Sequence, residues 1–310
     1  MEDLERMKEA YSTAGGNESA LEDPKVGSIV IDHNRVLSKR EVPGLRIEHQ
    51  ETTDGVNVRV TVSEVLKKPV HLCFGMLPQE GRQVIESEFI IKDGAKAEFI
   101  SHCIFPNAQK IEHLMNSKVI VGKNSGMTYK EEHYHSSKGN VITKPFLRGR
   151  ILEGGSLFEE FKLVNGMVGE LDIDYEVDQE AGSVCDLTTK VYGRDNDRIE
   201  IREALHLNGE RASGTANSRI FLRDSANASV LGEVEGNAAH ARGHVDCQEI
   251  LYGSNAKASS TPMISVSHPL AKVTHEAAIG RVDKKELETL MARGLSEDQA
   301  VNMIVRGLLR

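Results

Sequence analysis

Cys247 and the dipeptide His275-Glu276 bring together a thiol, an imidazole and a carboxylate, with Glu276 following Cys247 by 29 residues. Thiolate and imidazole suit soft and borderline metals, and a carboxylate can hold iron transiently. Between them lie two β-like runs and a turn of small residues, 254–259. If the chain coils with a period near 29, the three groups return to one column, a site for a soft metal or for sulfur. Taken alone, Cys247 reads first as a small buried hydrophobe, the common fate of a free cysteine. A second set lies upstream. In Glu131-Glu132-His133-Tyr134-His135 two imidazoles alternate, and alternate residues of a strand share a face. This reads either as a metal patch or as a solvated strand edge. Cys103 closes a β-like run ahead of Ile104-Phe105-Pro106, where a packing role and a reactive one are both open.

The elements that must position these residues are strands. Val56, Val58, Val60 and Val62 alternate with polar residues, as do Leu171, Ile173, Tyr175 and Val177, and then Ile199 and Ile201. Small residues at Gly94, Gly126, Gly155, Gly182 and Ala212 separate such runs at intervals of 32, 29, 27 and 30. Ala226 and Ala256 repeat the spacing. A fixed period of this size signals a solenoid, propeller or array. No WD-like or kelch-like pattern marks a propeller blade. The remaining choices are a β-solenoid and a β-sandwich with regular hairpins, for which Asn165-Gly166 is a turn signal. Helical spacing occurs only at the ends. Leu4, Met7 and Tyr11 share one face of a short first helix, either a docking element or a mobile arm. After Gly280, Asp283-x-x-Glu286 and Ser296-x-x-Gln299 begin two amphipathic helices. Leu287 and Met291 lie on the first, Ile304 and Leu308 on the second. These helices either cap the open end of the solenoid or offer a groove to a partner. The expected division is a helical segment over 1–26, a β-helix over 27–265 and a helical segment over 266–310.

Composition narrows the function. Thirty-eight basic residues face 47 acidic ones, a net charge of -9, which disfavours a nucleic-acid surface. No run approaches the ~20 apolar residues of a membrane span. The charged start, MEDLERMKEAY, has no apolar signal core. Four cysteines without a C-x-x-C pair point to reduced thiols, hence to the cytoplasm, and not to a disulfide framework. There is no G-x-x-x-x-G-K-[ST] loop for ATP.

The last third resembles the SufB/SufD family, the scaffolds of SUF iron–sulfur cluster assembly. The resemblance rests on Asp246-Cys247-Gln248-Glu249-Ile250-Leu251, on Thr261-Pro262-Met263-Ile264, and on His275-Glu276-Ala277. It continues in Leu290-Met291-Ala292-Arg293-Gly294-Leu295-Ser296-Glu297, then Ala300 and Ile304-Val305-x-Gly307. Upstream, Ile100-Ser101-His102-Cys103 and Ile142-Thr143-Lys144 resemble two further family segments more loosely. The resemblance implies a mainly β fold, a right-handed parallel β-helix with short N-terminal and C-terminal helical segments. It implies a transient iron–sulfur cluster on Cys247, with His275 and Glu276 as further ligands. It implies that Cys103 receives sulfur as a persulfide, and that Lys144 lies on an internal path between the two cysteines. His133 and His135 fall where B-type members tend to have Gln and Trp.

The implied partners are a SufC-type ABC ATPase, a sulfur donor protein, and either a second copy of this chain or a similar SufB/SufD subunit. The ATPase is expected on the C-terminal helices, through Leu287, Met291, Ile304 and Leu308. A two-fold dimer is expected through the last rungs, near 220–265, where open strand edges invite pairing. Flavin binding has been associated with the family, and no G-x-G-x-x-G follows a strand here. Two other readings compete. A polysaccharide-active β-helix enzyme needs paired carboxylates and aromatic sugar platforms, and the chain has no Trp and six Tyr. A β-solenoid interaction module would need neither cluster nor ATPase.

Overall fold

Each alternating run becomes a strand in the computed structural model, which describes residues 2–138 and 140–309. The chain opens with α1 (Glu2–Thr13) and α2 (Glu18–Glu22), then β1 (Ser28–Asp32), β2 (Arg35–Arg40), β3 (Leu45–Glu51), β4 (Gly55–Val62) and β5 (Val70–Gly75). Longer strands follow: β6 (Glu80–Ile91), β7 (Lys96–Phe105), β8 (Lys110–Val121), β9 (Gly126–His135), β10 (Val141–Ile151), β11 (Ser156–Asn165) and β12 (Glu170–Gln179). After them come β13 (Val184–Gly193), β14 (Arg198–Leu207), β15 (Ser213–Leu222), β16 (Asn227–Gly236), β17 (Arg242–Leu251), β18 (Lys257–Val266) and β19 (Lys272–Arg281). Helices α3 (Lys284–Ala292) and α4 (Glu297–Leu308) close the chain.

From β4 onward each strand pairs in parallel with the next but one, so consecutive strands alternate between two sheets. The first sheet runs β19-β17-β15-β13-β11-β9-β7-β5-β1-β2, and the second β18-β16-β14-β12-β10-β8-β6-β4-β3. The result is a mainly β protein, a β-solenoid of about 8 turns. Each coil contributes one strand to each sheet. Register partners such as Cys103 and His133, or Cys247 and Ala277, lie thirty residues apart.

The corners explain the period. Gly94, Asn124, Gly154, Gly182, Arg211 and His240 take φ of 72, 51, 68, 63, 58 and 60°. Each is followed by a buried small residue: Ala95, Ser125, Gly155, Ser183, Ala212 and Ala241. The left-handed residue turns the chain, and the small one fits inside the bend. The small residues read from the sequence mix these two positions with a third, Gly126, one residue further on, which is why their intervals scatter more than the true repeat. At Gly154 a Cβ would lie 2.4 Å from the Asn124 amide oxygen, so this corner favours glycine.

Inside the tube, alternate side chains interdigitate as one apolar core running from Ile29 to Ala256. Both terminal helical regions lie on the outer face of the first sheet. Met7 and Tyr11 of α1 are buried against Val30, Cys73 and Ile104, and the Tyr11 hydroxyl meets His71 Nδ1 at 2.8 Å. Val301, Val305 and Leu309 pack on Tyr192 and Phe221. Helix α4 is held by the expected capping box, Ser296 with Gln299, and α3 by the Asp283 cap.

Two expectations change here. Strand β19 carries the solenoid past residue 265, so helix begins at Lys284 and not at 266. The run after 265, with Pro269 and few large apolar residues, lacks a strong strand signal, and pairing with β17 makes β19 a strand. The C-terminal helices flank the solenoid and do not close it. The last coil therefore stays open, with Met263, Ile264, Val266 and Ile279 exposed. No described helix is long and apolar enough to cross a membrane.

Candidate functional site

Cys247 lies in β17 with its side chain inside the tube, 2% exposed, stacked on Ser218 and below Ala277. The coil is thirty residues long here, so Cys247 pairs with Ala277 and Glu276 pairs with Asp246. Alternate residues point to opposite faces. Glu276 thus faces outward, above the Arg219–Asp246 ion pair, and does not join Cys247 in one column. His275 stacks on Val245 and shares the interior face with Cys247, two residues along β19 from Ala277, the register partner of Cys247. Both His275 and Glu276 are exposed, because nothing covers β19.

The carboxyl that does share the Cys247 face is Glu249, which the sequence reading passes over. It is fully buried, and neither oxygen has a hydrogen-bond partner. Burial pushes its acid up to about 7. Burial also raises the Cys247 thiol, opposed by the Ser218 and Ser260 hydroxyls beside it and reinforced by Glu249 and Glu203. The end of the tube therefore holds a protonated thiol and a buried carboxyl with a raised pKa, with an exposed imidazole on the same face of the next strand.

The upstream set is also internal. Cys103 on β7 is fully buried and pairs in register with His133 on β9. His113 on β8 reaches across from the other sheet, and one ligand atom each of Cys103, His113 and His133 lies within 4.8 Å of the others. Cys103 Sγ also sits 3.7 Å from Met115 Sδ. His133 Nε2 meets Glu131 Oε1 at 2.6 Å, and His133 Nδ1 meets His135 Nε2 at 3.4 Å. The Met167 carbonyl accepts from His135 Nδ1 at 2.9 Å. The pair His133 and His135 is therefore neither a solvated edge nor a surface patch. Neither nitrogen of His113 has a hydrogen-bond partner, although the ring is fully buried. Leaving such a donor or acceptor unmade costs about 1–3 kcal/mol. Burial holds the His113 imidazole neutral, His133 and His135 adding to the effect, and brings His135 down to about 3. Burial, then Glu131, pushes the Cys103 thiol well up, which disfavours the thiolate.

Between the two cysteines the interior is acidic. Glu131, Glu159 and Glu203 are buried on successive stretches of the tube, and Thr189 Oγ1 donates to Glu203 Oε1 at 2.7 Å. Burial raises Glu159 well above the usual range and Glu203 to about 7. Lys144 is not part of this interior. It lies on the outer face of β10, 42% exposed, with Glu170 and Asp172 at 3.6 and 3.8 Å. Strand alternation explains it: Thr143 and Pro145 point inward, so Lys144 points out. Of the residues expected to meet an ATPase, Leu287, Ile304 and Leu308 are half-buried against the chain's own Tyr192–Phe221 flank, while Met291 is 40% exposed.

His113 was illegible as a ligand, because it comes from the opposite sheet. The Cys103–His133 stacking could have been read from the thirty-residue ladder, and Glu249 from its position two residues after Cys247.

Comparison with known proteins agrees with this architecture. Residues 78–308 match the family model described as SUF system FeS cluster assembly, SufBD core domain. An iron-sulfur cluster assembly SufBD family protein of Methanocaldococcus jannaschii is 36% identical over 310 residues, covering 99% of this chain and 98% of that one. One from Pyrococcus horikoshii is 32% identical, covering 100% of this chain and 94% of its own length. A third, from Archaeoglobus fulgidus, is 23% identical over 89% of this chain and 73% of its own.

Proposed function

The chain belongs to the SufBD family of SUF-system iron–sulfur cluster assembly proteins, and we propose that it is a non-catalytic scaffold on which a cluster is built and released. The observation that carries this reading is the open last coil, where Cys247, Glu249 and His275 share the interior face of a tube rimmed by exposed Met263, Ile264, Val266 and Ile279. One chain offers a single thiol there, too few soft ligands for an iron–sulfur cluster. A second copy, or a similar SufB/SufD subunit, joined through the apolar rim doubles the set. In that assembly Glu276, which faces away from its own Cys247, is free to reach toward the partner. Mixed thiol, imidazole and carboxylate ligation binds a cluster less firmly than four thiolates, which suits a cargo that must leave.

The cluster is cargo and is supplied with iron and sulfur from outside the chain, the sulfur by a donor protein. The Cys247 thiol is protonated and buried at rest, so the end must be opened for loading. An ABC-type ATPase of the SufC class bound near α3 and α4 would supply that movement, using Met291 and the 50% exposed Met303 as its apolar contacts. All four cysteines are free, in keeping with a reducing cytoplasm.

The test is anaerobic reconstitution with iron and sulfide, in the presence of the ATPase and nucleotide. Cys247→Ser is nearly isosteric and is expected to lose cluster iron and sulfide while keeping its fold. Wild-type iron and sulfide in that variant would end the proposal.

A further inference from the structure

We propose that Cys103, His113 and His133 form a buried site for one borderline-soft divalent transition-metal ion of the zinc class, separate from the cluster-assembly end of the molecule. These three are the one group of its kind among the described residues, and all are buried. The set is thiolate and imidazole, which selects zinc-class ions over calcium or magnesium. Tetrahedral bonds of about 2.3 Å to sulfur and about 2.0–2.1 Å to nitrogen put ligand atoms roughly 3.4–3.6 Å apart. Ligand atoms already within 4.8 Å need only small side-chain rotations to reach that geometry.

Two features point to a ligand and not to packing. His113 is fully buried, with both ring nitrogens unpartnered, and a metal bond would satisfy one of them. His133 is set up in the second way. With the Glu131 carboxylate accepting from His133 Nε2–H, Nδ1 carries the free lone pair, the carboxylate–histidine arrangement that orients metal-binding imidazoles. The same Nδ1 faces His135 Nε2 at 3.4 Å, while His135 Nδ1–H donates to the Met167 carbonyl. That leaves the His133 Nδ1 lone pair without a proton to accept from His135, and open to a metal ion. Charge also closes. Binding releases the Cys103 thiol proton to solvent. The thiolate and the Glu131 carboxylate then neutralise the divalent ion in a tube that could not hold net charge.

This site does not rest on the assembly proposal. Cys103 on β7 and Cys247 on β17 are five steps apart along the first sheet, roughly 24 Å at about 4.8 Å per step. That distance lets one experiment separate them. The full-length chain is produced in cobalt-supplemented minimal medium and purified without oxygen. Its metal content is measured by mass spectrometry, and its absorption is recorded for tetrahedral d–d bands and a thiolate-to-cobalt charge-transfer band. We expect one cobalt per chain and both signatures. Cys103→Ser should lose the charge-transfer band, Cys247→Ser should keep it, and Glu131→Gln should weaken affinity about 10–100-fold in competition with a chelator. His113→Leu removes a ligand while filling the same space with an apolar group, so it folds without metal and carries the test if Cys103→Ser does not fold. A chain that carries no cobalt, a band that survives both Cys103→Ser and His113→Leu, or a band lost in Cys247→Ser overturns the proposal.

Discussion

Glu203→Gln turns the acidic interior into a measurable pH dependence. Glu203 is 2% exposed, and burial raises its acid from 4.5 to about 7, with Thr189 opposing and Asp186 adding to the rise. Folded protein therefore binds this proton more tightly than unfolded chain. Below about 4.5 both states are protonated and stability is full. Between there and 7 only the folded state keeps the proton, so stability falls as pH rises, by about 1.4 kcal/mol per unit. Above 7 the loss is complete, about 3 kcal/mol for the whole interval. Glutamine keeps an oxygen for the Thr189 hydroxyl, which donates at 2.7 Å, and cannot ionise. The variant should exceed wild type by about 3 kcal/mol at pH 8 and by under about 1 kcal/mol at pH 5. The assay is urea unfolding at both pH values, read as midpoint shifts at unchanged slope. Glu203 also adds to the upward shift of Glu159, Cys185 and Tyr175, so the difference reports Glu203 together with its effect on these neighbours. Equal midpoint shifts at pH 5 and pH 8 would refute the reasoning, since Glu203 would then not be changing charge on the folded protein.

Three more outcomes follow from the placements described. Lys144→Ala should leave cluster iron and sulfide unchanged in reconstitution, because its ammonium lies outside the tube; a loss of cluster would restore it to an internal route. Val301→Asp puts a carboxylate into the Tyr192–Phe221 contact at a cost on the order of several kcal/mol, and should release α4 to limited proteolysis while the solenoid keeps its far-ultraviolet spectrum. Met263→Asp with Ile279→Asp charges the open rim, and light scattering should then report a monomer, against the dimer proposed for the unaltered chain; an unchanged mass would place the interface elsewhere.

Much of the fold is written locally. Alternation at Val56 to Val62 and Leu171 to Val177 demands strands, and small residues recurring near thirty positions demand coils, because a tight corner tolerates only certain backbones. The motif around Cys247 and His275 also carries the family without any coordinates. What the residues could not declare was phase. A period read as 29 puts Glu276 over Cys247, while the true thirty-residue ladder puts Ala277 there and turns Glu276 to the outside. One residue of register reverses every side chain on a strand, and sequence spacing cannot resolve one residue when corners vary by that much. The same alternation sends Lys144 outward and Glu249 inward. Contacts across the tube were further from view. His113 meets Cys103 only because two sheets face each other, and neither periodicity nor motif records which residues of opposite sheets share a layer. The sequence by itself determined the strands, the coil and the cysteine that marks the family; the tertiary structure alone decided which groups share the interior, since that depends on register and on the packing of one sheet against the other.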